Sequence, residues 1–255
     1  MVKITFLGTG TSQGIPVIGC VCPVCLSTNP KDKRLRTSIF IESKFANVVI
    51  DTGPDFRAQA LRAPIKKLDA VVFTHEHKDH VAGLDDVRPF NFLAKKDMPI
   101  YASKNVEKAL KREFHYAFED LKYPGVPLLK LIPISEKKTF NINGLEIIPI
   151  KVMHHKLPVL GFRIKDFTYI TDANYIAPEE KEKIKGSKII VLNALRKEPH
   201  LSHFTLNEAI TLMKDLKPEK GYFTHLSHLM GKHKDVSSEL PSFLNIAHDG
   251  LTLEI

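Results

Sequence analysis

No apolar run in this 255-residue chain approaches the roughly 20 residues that a membrane-spanning helix needs, so a helical membrane anchor is not expected. The opening Met1–Leu7 stretch is too short, and too soon interrupted by Gly8, to read as a secretory signal. Cysteine is scarce: three residues, all within Cys20-Val21-Cys22-Pro23-Val24-Cys25. An odd, tightly clustered set without an export signal argues against a disulfide framework. It favours a reduced, cytoplasmic setting and metal binding. Low-complexity tracts, clean internal repeats and the aromatic-and-glycine patterning of nucleic-acid modules are also missing.

What remains is an ordinary globular composition, 43% hydrophobic and 26% charged, with a net charge of +8. The basic balance permits an anionic substrate or a nucleic acid without requiring either. Short β-type runs recur at Lys3–Leu7, Ser38–Glu42, Asn47–Ile50, Ala70–Phe73, Leu128–Pro133, Leu145–Val152, Gly161–Ile164, Thr168–Thr171, Lys188–Leu192, Gly221–Thr224 and Leu251–Ile255. Helical periodicity fits Phe56–Leu61, Val81–Phe92, Val106–Tyr116, Pro178–Ile184 and Leu206–Leu216, the last with a Thr205/Glu208 capping box. Strands alternating with helices predict an α/β fold: one domain over residues 1–255, two β-sheets packed together with helices outside.

The densest chemistry is His75-Glu76-His77-Lys78-Asp79-His80, directly after the apolar run Ala70–Phe73. In an extended or tightly turned segment, His75 and His77 point to one side, and Asp79 and His80 follow at the start of a helix. Imidazole and carboxylate suit zinc, manganese or iron, and a pair of ions needs more ligands than this segment holds. His154, Asp172 and His225 each close a strand-like run and are the natural remainder, although His155 competes with its neighbour. Asp51 ends another such run. The Cys20-x-Cys22-x-x-Cys25 loop offers three thiolates for a structural zinc, with His228 the best-placed fourth donor. Redox-active thiols are the competing reading of the same loop.

Together these residues resemble the metallo-β-lactamase-fold hydrolases, and within them the PhnP-type phosphodiesterases. The marks are Leu7–Pro16, Asp51-Thr52-Gly53-Pro54-Asp55, Thr74–His80, Leu157–Phe162, Thr171-Asp172 and Thr224–His228. The resemblance implies an αββα four-layer sandwich of two mixed sheets and a zinc loop at about residues 18–28. It implies two divalent metals at the active site, zinc or manganese and less readily iron. His75, His77 and His154 would hold one, Asp79, His80 and His225 the other, with Asp172 bridging. Cys20, Cys22, Cys25 and His228 would hold a third, structural zinc, and Asp51 would orient ligand imidazoles. His203-Phe204-Thr205-Leu206-Asn207-Glu208-Ala209 resembles the His-Glu-Ala stretch of tRNA 3′-processing enzymes, which makes His203 the expected general acid ahead of His200.

The implied activity is hydrolysis of a small, cyclic phosphodiester by hydroxide generated between the metals, with Asp79 and Asp172 positioning them and His203 protonating the leaving oxygen. A tRNA 3′-processing-like endonuclease, a thioester or lactam hydrolase, and a non-enzymatic zinc adaptor are the alternatives. The partners expected are a small anionic phosphodiester, with nucleic acid less favoured, no membrane, and a second copy of the chain as a compatible but unforced option.

Overall fold

The computed structural model describes residues 1–119 and 124–255. Its first sheet is built from β1 (Val2–Gly8), β2 (Ser38–Ser43), β3 (Asn47–Ile50), β4 (Ala70–Val72), β5 (Met98–Ala102) and β6 (Leu129–Pro133). The second holds β7 (Phe140–Ile142), β8 (Leu145–His154), β9 (Leu157–Ile164), β10 (Phe167–Tyr169), β11 (Ile189–Asn193), β12 (Lys220–Thr224) and β13 (Leu244–Ile246). A last strand, β14 (Thr252–Glu254), returns to the first sheet. Among the described residues the orders are β14-β1-β2-β3-β4-β5-β6 and β13-β12-β11-β10-β9-β8-β7. Each sheet is mixed. β3 through β6 run parallel, as do β10 through β13, while the remaining pairs are antiparallel.

Two-residue alternation sorts the strands between layers. Val48, Ile50, Ala70 and Val72 of the first sheet meet Ile147, Phe162, Phe167 and Tyr169 of the second in one buried cluster. Val49, Val71 and Ile100 point the other way, under α1 (Phe56–Arg62), α3 (Arg88–Ala94) and α4 (Lys104–Glu113). Ile150, Val152, Ile190 and Phe223 lie under α6 (Pro178–Ile184), α7 (Leu206–Leu216) and α8 (His233–Glu239). The short α2 (Lys78–Val81) and α5 (His115–Phe118) complete the helices. This is the expected αββα sandwich of two mixed sheets.

Two sequence readings differ in detail. One helix over Val81–Phe92 is predicted, but the chain forms α2, then a 3-10 turn at Leu84–Val87, then α3. Gly83 lies too close to the Gly53 backbone carbonyl to carry a side chain, and Pro89 cannot supply an amide inside a continuous helix, although it suits the first turn of α3. The strand pattern also misses β5, β7 and β13. Pro99 disguises β5, and three residues are too few for β7 or β13 to show alternation. The capping box is present: Thr205 accepts from the Glu208 amide and the Glu208 carboxylate accepts from the Thr205 amide.

Candidate active site and metal centres

The carboxyl ends of the parallel strands deliver most of the chemistry to one edge of the sandwich. Asp51 follows β3, the His75–His80 turn follows β4, Asp172 lies just after β10, and His225 follows β12, while His154 ends the antiparallel β8. Asp51, Asp172 and His225 all take left-handed backbone, with φ of 65°, 52° and 56°. Such a conformation is uncommon outside glycine, and finding three at the ends of strands around one site marks a constrained geometry. Gly53 lets the Asp79 carbonyl approach its backbone, a contact that any side chain there would block.

Asp79, His80, Asp172 and His225 place donor atoms within 4.8 Å of one another. His80 Nε2 lies 3.2 Å from Asp79 Oδ2 and 3.3 Å from Asp172 Oδ2. His225 Nε2 lies 3.1 Å from Asp172 Oδ1 and 3.6 Å from Asp79 Oδ2. Neither nitrogen has a hydrogen-bond partner of proper geometry among the described residues, though both are buried. Nitrogen and oxygen ligands of one tetrahedral ion at about 2.0–2.1 Å stand about 3.4 Å apart. The spacing here would suit a shared cation.

Supporting contacts aim the lone pairs inward. The fully buried Asp51 accepts from His80 Nδ1 at 2.7 Å, the Thr74 amide at 2.9 Å and Thr74 Oγ1 at 2.8 Å. With its hydrogen committed to Asp51, the Thr74 hydroxyl can only accept from His75 Nδ1, 3.0 Å away. His154 Nδ1 donates to the Ser202 carbonyl at 2.8 Å. In all three imidazoles Nδ1 is the donor, which leaves Nε2 as the atom available to ligate, and the buried His75 Nε2 has no partner among the described residues. A carboxylate, a hydroxyl or a carbonyl behind each ring is the kind of contact that orients metal-binding histidines.

His75, His77 and His154 have ring centroids 4.6, 5.2 and 5.9 Å apart. Three imidazoles around one ion stand about 5 Å apart by the same metal–nitrogen lengths, so this second set also suits a cation, more loosely than the first. His77 is exposed and forms the open rim. His155, the competitor of His154, points to solvent.

Electrostatics agree with the geometry. Burial opposes charge on His80, but Asp79, Asp172 and Asp51 outweigh it and hold the imidazole well above its ordinary pKa, so a cation bound there would take the place of the Nε2 proton. Burial alone would raise Asp172, yet His225 and His80 drive it well below the carboxylate range. Burial and the neighbouring His80 push His75 well below the usual histidine value, keeping it neutral and able to ligate.

His203 is 8% exposed, with Nε2 3.2 Å from Asp172 Oδ1 and its ring 4.5 Å from that of His154. His200, its sequence rival, is exposed and reaches the site only through His203, at 3.1 Å between their Nδ1 atoms. His154, Asp172 and His203 form a third close group, so His203 stands within coordinating reach as well as beside the donors. The roles of Thr74 and the Ser202 carbonyl carry no sequence signal beyond lying next to His75 and His203.

The cysteine loop forms a separate centre. Sγ of Cys20, Cys22 and Cys25 lie 3.3, 3.4 and 3.6 Å from His228 Nδ1. A tetrahedral zinc with sulfur at about 2.3 Å and nitrogen at about 2.0 Å sets that separation at about 3.5 Å. The Cys25 amide lowers the Cys22 thiol to about 6, while burial raises Cys25 to about 11. One thiolate is thus ready for a metal near neutral pH.

A sequence profile described as the beta-lactamase superfamily domain matches residues 46–226. The chain belongs to that family, with the fold and site of a metal-dependent hydrolase. Within it the chain resembles the PhnP branch: a solved "new diphosphatase from the PhnP family" shares 39% identity and a TM-score of 0.93, covering 100% of this chain and 98% of that one. Among curated proteins, an octanoyltransferase of Porphyromonas gingivalis is 39% identical over 98% of this chain and 51% of its own length. A ribonuclease Z of Staphylococcus epidermidis (strain ATCC 35984 / DSM 28319 / BCRC 17069 / CCUG 31568 / BM 3577 / RP62A) is 25% identical over 64% of this chain and 49% of its own. The chain thus spans about half the length of the curated relatives it matches. No described helix is long and apolar enough to cross a membrane.

Proposed function

We propose that this protein hydrolyses a small, cyclic phosphodiester, or failing that a small diphosphate, at a two-metal centre. His75, His77 and His154 would hold one divalent ion and Asp79, His80 and His225 the other, with Asp172 between them, while Cys20, Cys22, Cys25 and His228 would hold a structural zinc. Histidine with carboxylate accommodates zinc, manganese or iron in the first two positions. When bound, the paired ions supply Lewis acidity, lowering the pKa of water toward neutrality and neutralising charge on phosphoryl oxygens.

The chain's own residues do the rest. Asp51 and Thr74 hold His80 and His75 in the ligating tautomer. Asp79 and Asp172 bring two negative charges to the site, which favours cations there. His203 stands beside Asp172 at the lip of the donor set, placed to give a proton to the oxygen leaving phosphorus. An alkoxide is a poor leaving group, so such an acid contributes about 10²–10⁴-fold.

The observation that carries this reading is the convergence of unpartnered imidazole nitrogens and carboxylates, with His203 held against Asp172. The PhnP-family diphosphatase supports phosphorus as the reacting centre. Acyl transfer finds weaker support: the octanoyltransferase matches over only about half its length, so its name need not describe the matched half. The test is a panel of cyclic nucleotides, ribosyl cyclic phosphate, linear diesters, diphosphates, tRNA precursors and thioesters. Small diesters or diphosphates should turn over, activity should vanish on chelation and return with added metal, and His203→Asn should cut turnover about 10²–10⁴-fold at unchanged metal content. Thioester hydrolysis without phosphoryl turnover would overturn the proposal.

A further inference from the structure

Three strands bring the same kind of four-residue ending to the active-site edge: Val72-Phe73-Thr74-His75 at β4, Tyr169-Ile170-Thr171-Asp172 at β10 and Tyr222-Phe223-Thr224-His225 at β12. In each, the first residue belongs to the buried layer between the sheets, whereas the second packs into an outer layer under the helices. Alternation then returns the threonine to the layer between the sheets, directly before a donor residue. Thr74, Thr171 and Thr224 are at most 1% exposed. Valine has the same shape and the same preference for strands, so a buried hydroxyl at these points is a cost unless it finds a partner.

At two of the three endings the partner is the donor residue itself. The Thr74 hydroxyl accepts from His75 Nδ1 at 3.0 Å, and the Thr171 hydroxyl donates to Asp172 Oδ2 at 2.5 Å. A hydroxyl can do either, so one residue type serves an imidazole and a carboxylate alike. At the third ending, Thr224 Oγ1 and His225 Nδ1 are both buried and both without a partner among the described residues. They belong to consecutive residues. One is an oxygen able to accept, and the other is the ring nitrogen that carries the hydrogen when Nε2 ligates. Nδ1 of His75, His80 and His154 each has a partner, so His225 stands apart from them.

We infer that Thr224 is the positioning residue of His225: its hydroxyl takes the Nδ1 hydrogen, directly or across one enclosed water, and so holds Nε2 toward Asp172 and Asp79. The inference rests on His225 being a ligand of the two-metal centre proposed above. It deepens that reading by giving the donors after β4, β10 and β12 one common support, a threonine hydroxyl from the preceding position. The rival partner is Thr52, which follows Asp51 and whose Oγ1 is also buried without a partner among the described residues.

Full-length Thr224→Val, Thr224→Ser and Thr52→Val, each loaded with zinc, test it by two readouts independent of turnover. In competition titration, Thr224→Val should hold zinc at the active-site edge about 10–100-fold more weakly than the wild type, with the cysteine centre unchanged. Thr224→Ser keeps the hydroxyl and should restore the affinity. In proton–nitrogen correlation spectra the wild type and Thr224→Ser should show a slowly exchanging His225 Nδ1 hydrogen, and Thr224→Val should lose it. Unchanged zinc affinity in Thr224→Val, with equal or greater stability, would show that the hydroxyl supports nothing and would overturn the inference. Equal weakening in Thr224→Ser, or a loss confined to Thr52→Val, would overturn it too. A wild type that binds no zinc at this edge would bring down the two-metal reading and this inference with it, whereas the other failures leave that reading standing.

Discussion

Cys20, Cys22 and Cys25 leave one surface loop and meet a single imidazole from elsewhere, His228. Asp79, His80, Asp172 and His225 arrive from the ends of β4, β10 and β12, in two different sheets. The first centre is partly exposed and owes little to the sandwich; the second exists only because both sheets present the same edge. His80 is fully buried against Asp51, and Asp172 and His225 sit on left-handed backbone that the surrounding packing must enforce. One centre, if it holds zinc as proposed, would staple a loop, and the other is made by the fold. They are three residues apart at His225 and His228, so the contrast can be tested by perturbing each without abolishing the other.

The largest effect is expected at Asp172. Replacing it with Ala removes the carboxylate shared by His80, His225 and His203, and should lower turnover at least about 100-fold, the upper scale for losing a mere supporting partner of a ligand. Elemental analysis should find the active-site ions depleted and about one zinc per chain retained. Equal loss of all metal would erase the distinction between the centres. Next, Cys22→Ser should release that zinc and lower Tm by at least about 5 °C, since binding to a site absent from the unfolded chain is folding free energy. Metal at the other centre should persist, with kcat falling less than in Asp172→Ala.

Thr74→Val should be milder. It removes the hydroxyl between Asp51 and His75 and should weaken active-site metal about 10–100-fold by competition titration, leaving the cysteine centre untouched. The smallest effect lies at His233, where burial and the Arg34 guanidinium depress the pKa to about 4. Between the unfolded value of about 6.5 and that figure the unfolded chain binds the extra proton, so stability falls as pH drops through this window. His233→Gln should flatten the pH dependence of urea unfolding by up to one proton between about pH 6.5 and 4. This histidine amide donates to Asp32, next to the cysteine loop, so the effect should appear at the loop-bearing end.

The same contrast decides what could be read from sequence. The His75–His80 cluster and the cysteine loop are legible because their ligands are contiguous, and contiguous ligands need no knowledge of the fold. His154, Asp172 and His225 stand out only as polar residues closing apolar runs, and the left-handed turn that aims two of them leaves no compositional trace. Thr74 is invisible as an orienting residue because its part depends on Asp51, 23 positions away. The αββα arrangement is legible from alternating apolar strands and helices. The break at Gly83 and the strand behind Pro99 are not, since tertiary contact overrides local pattern at both.

The most direct measurement is anomalous X-ray scattering from crystals of the metal-loaded protein, collected at the absorption edge of the added metal. An ion between Asp79, His80, Asp172 and His225, a second beside His75, His77 and His154, and zinc at the cysteine loop are the predicted result. Metal at the cysteine loop alone, with the buried imidazoles and carboxylates pairing only with each other in active protein, would contradict the account.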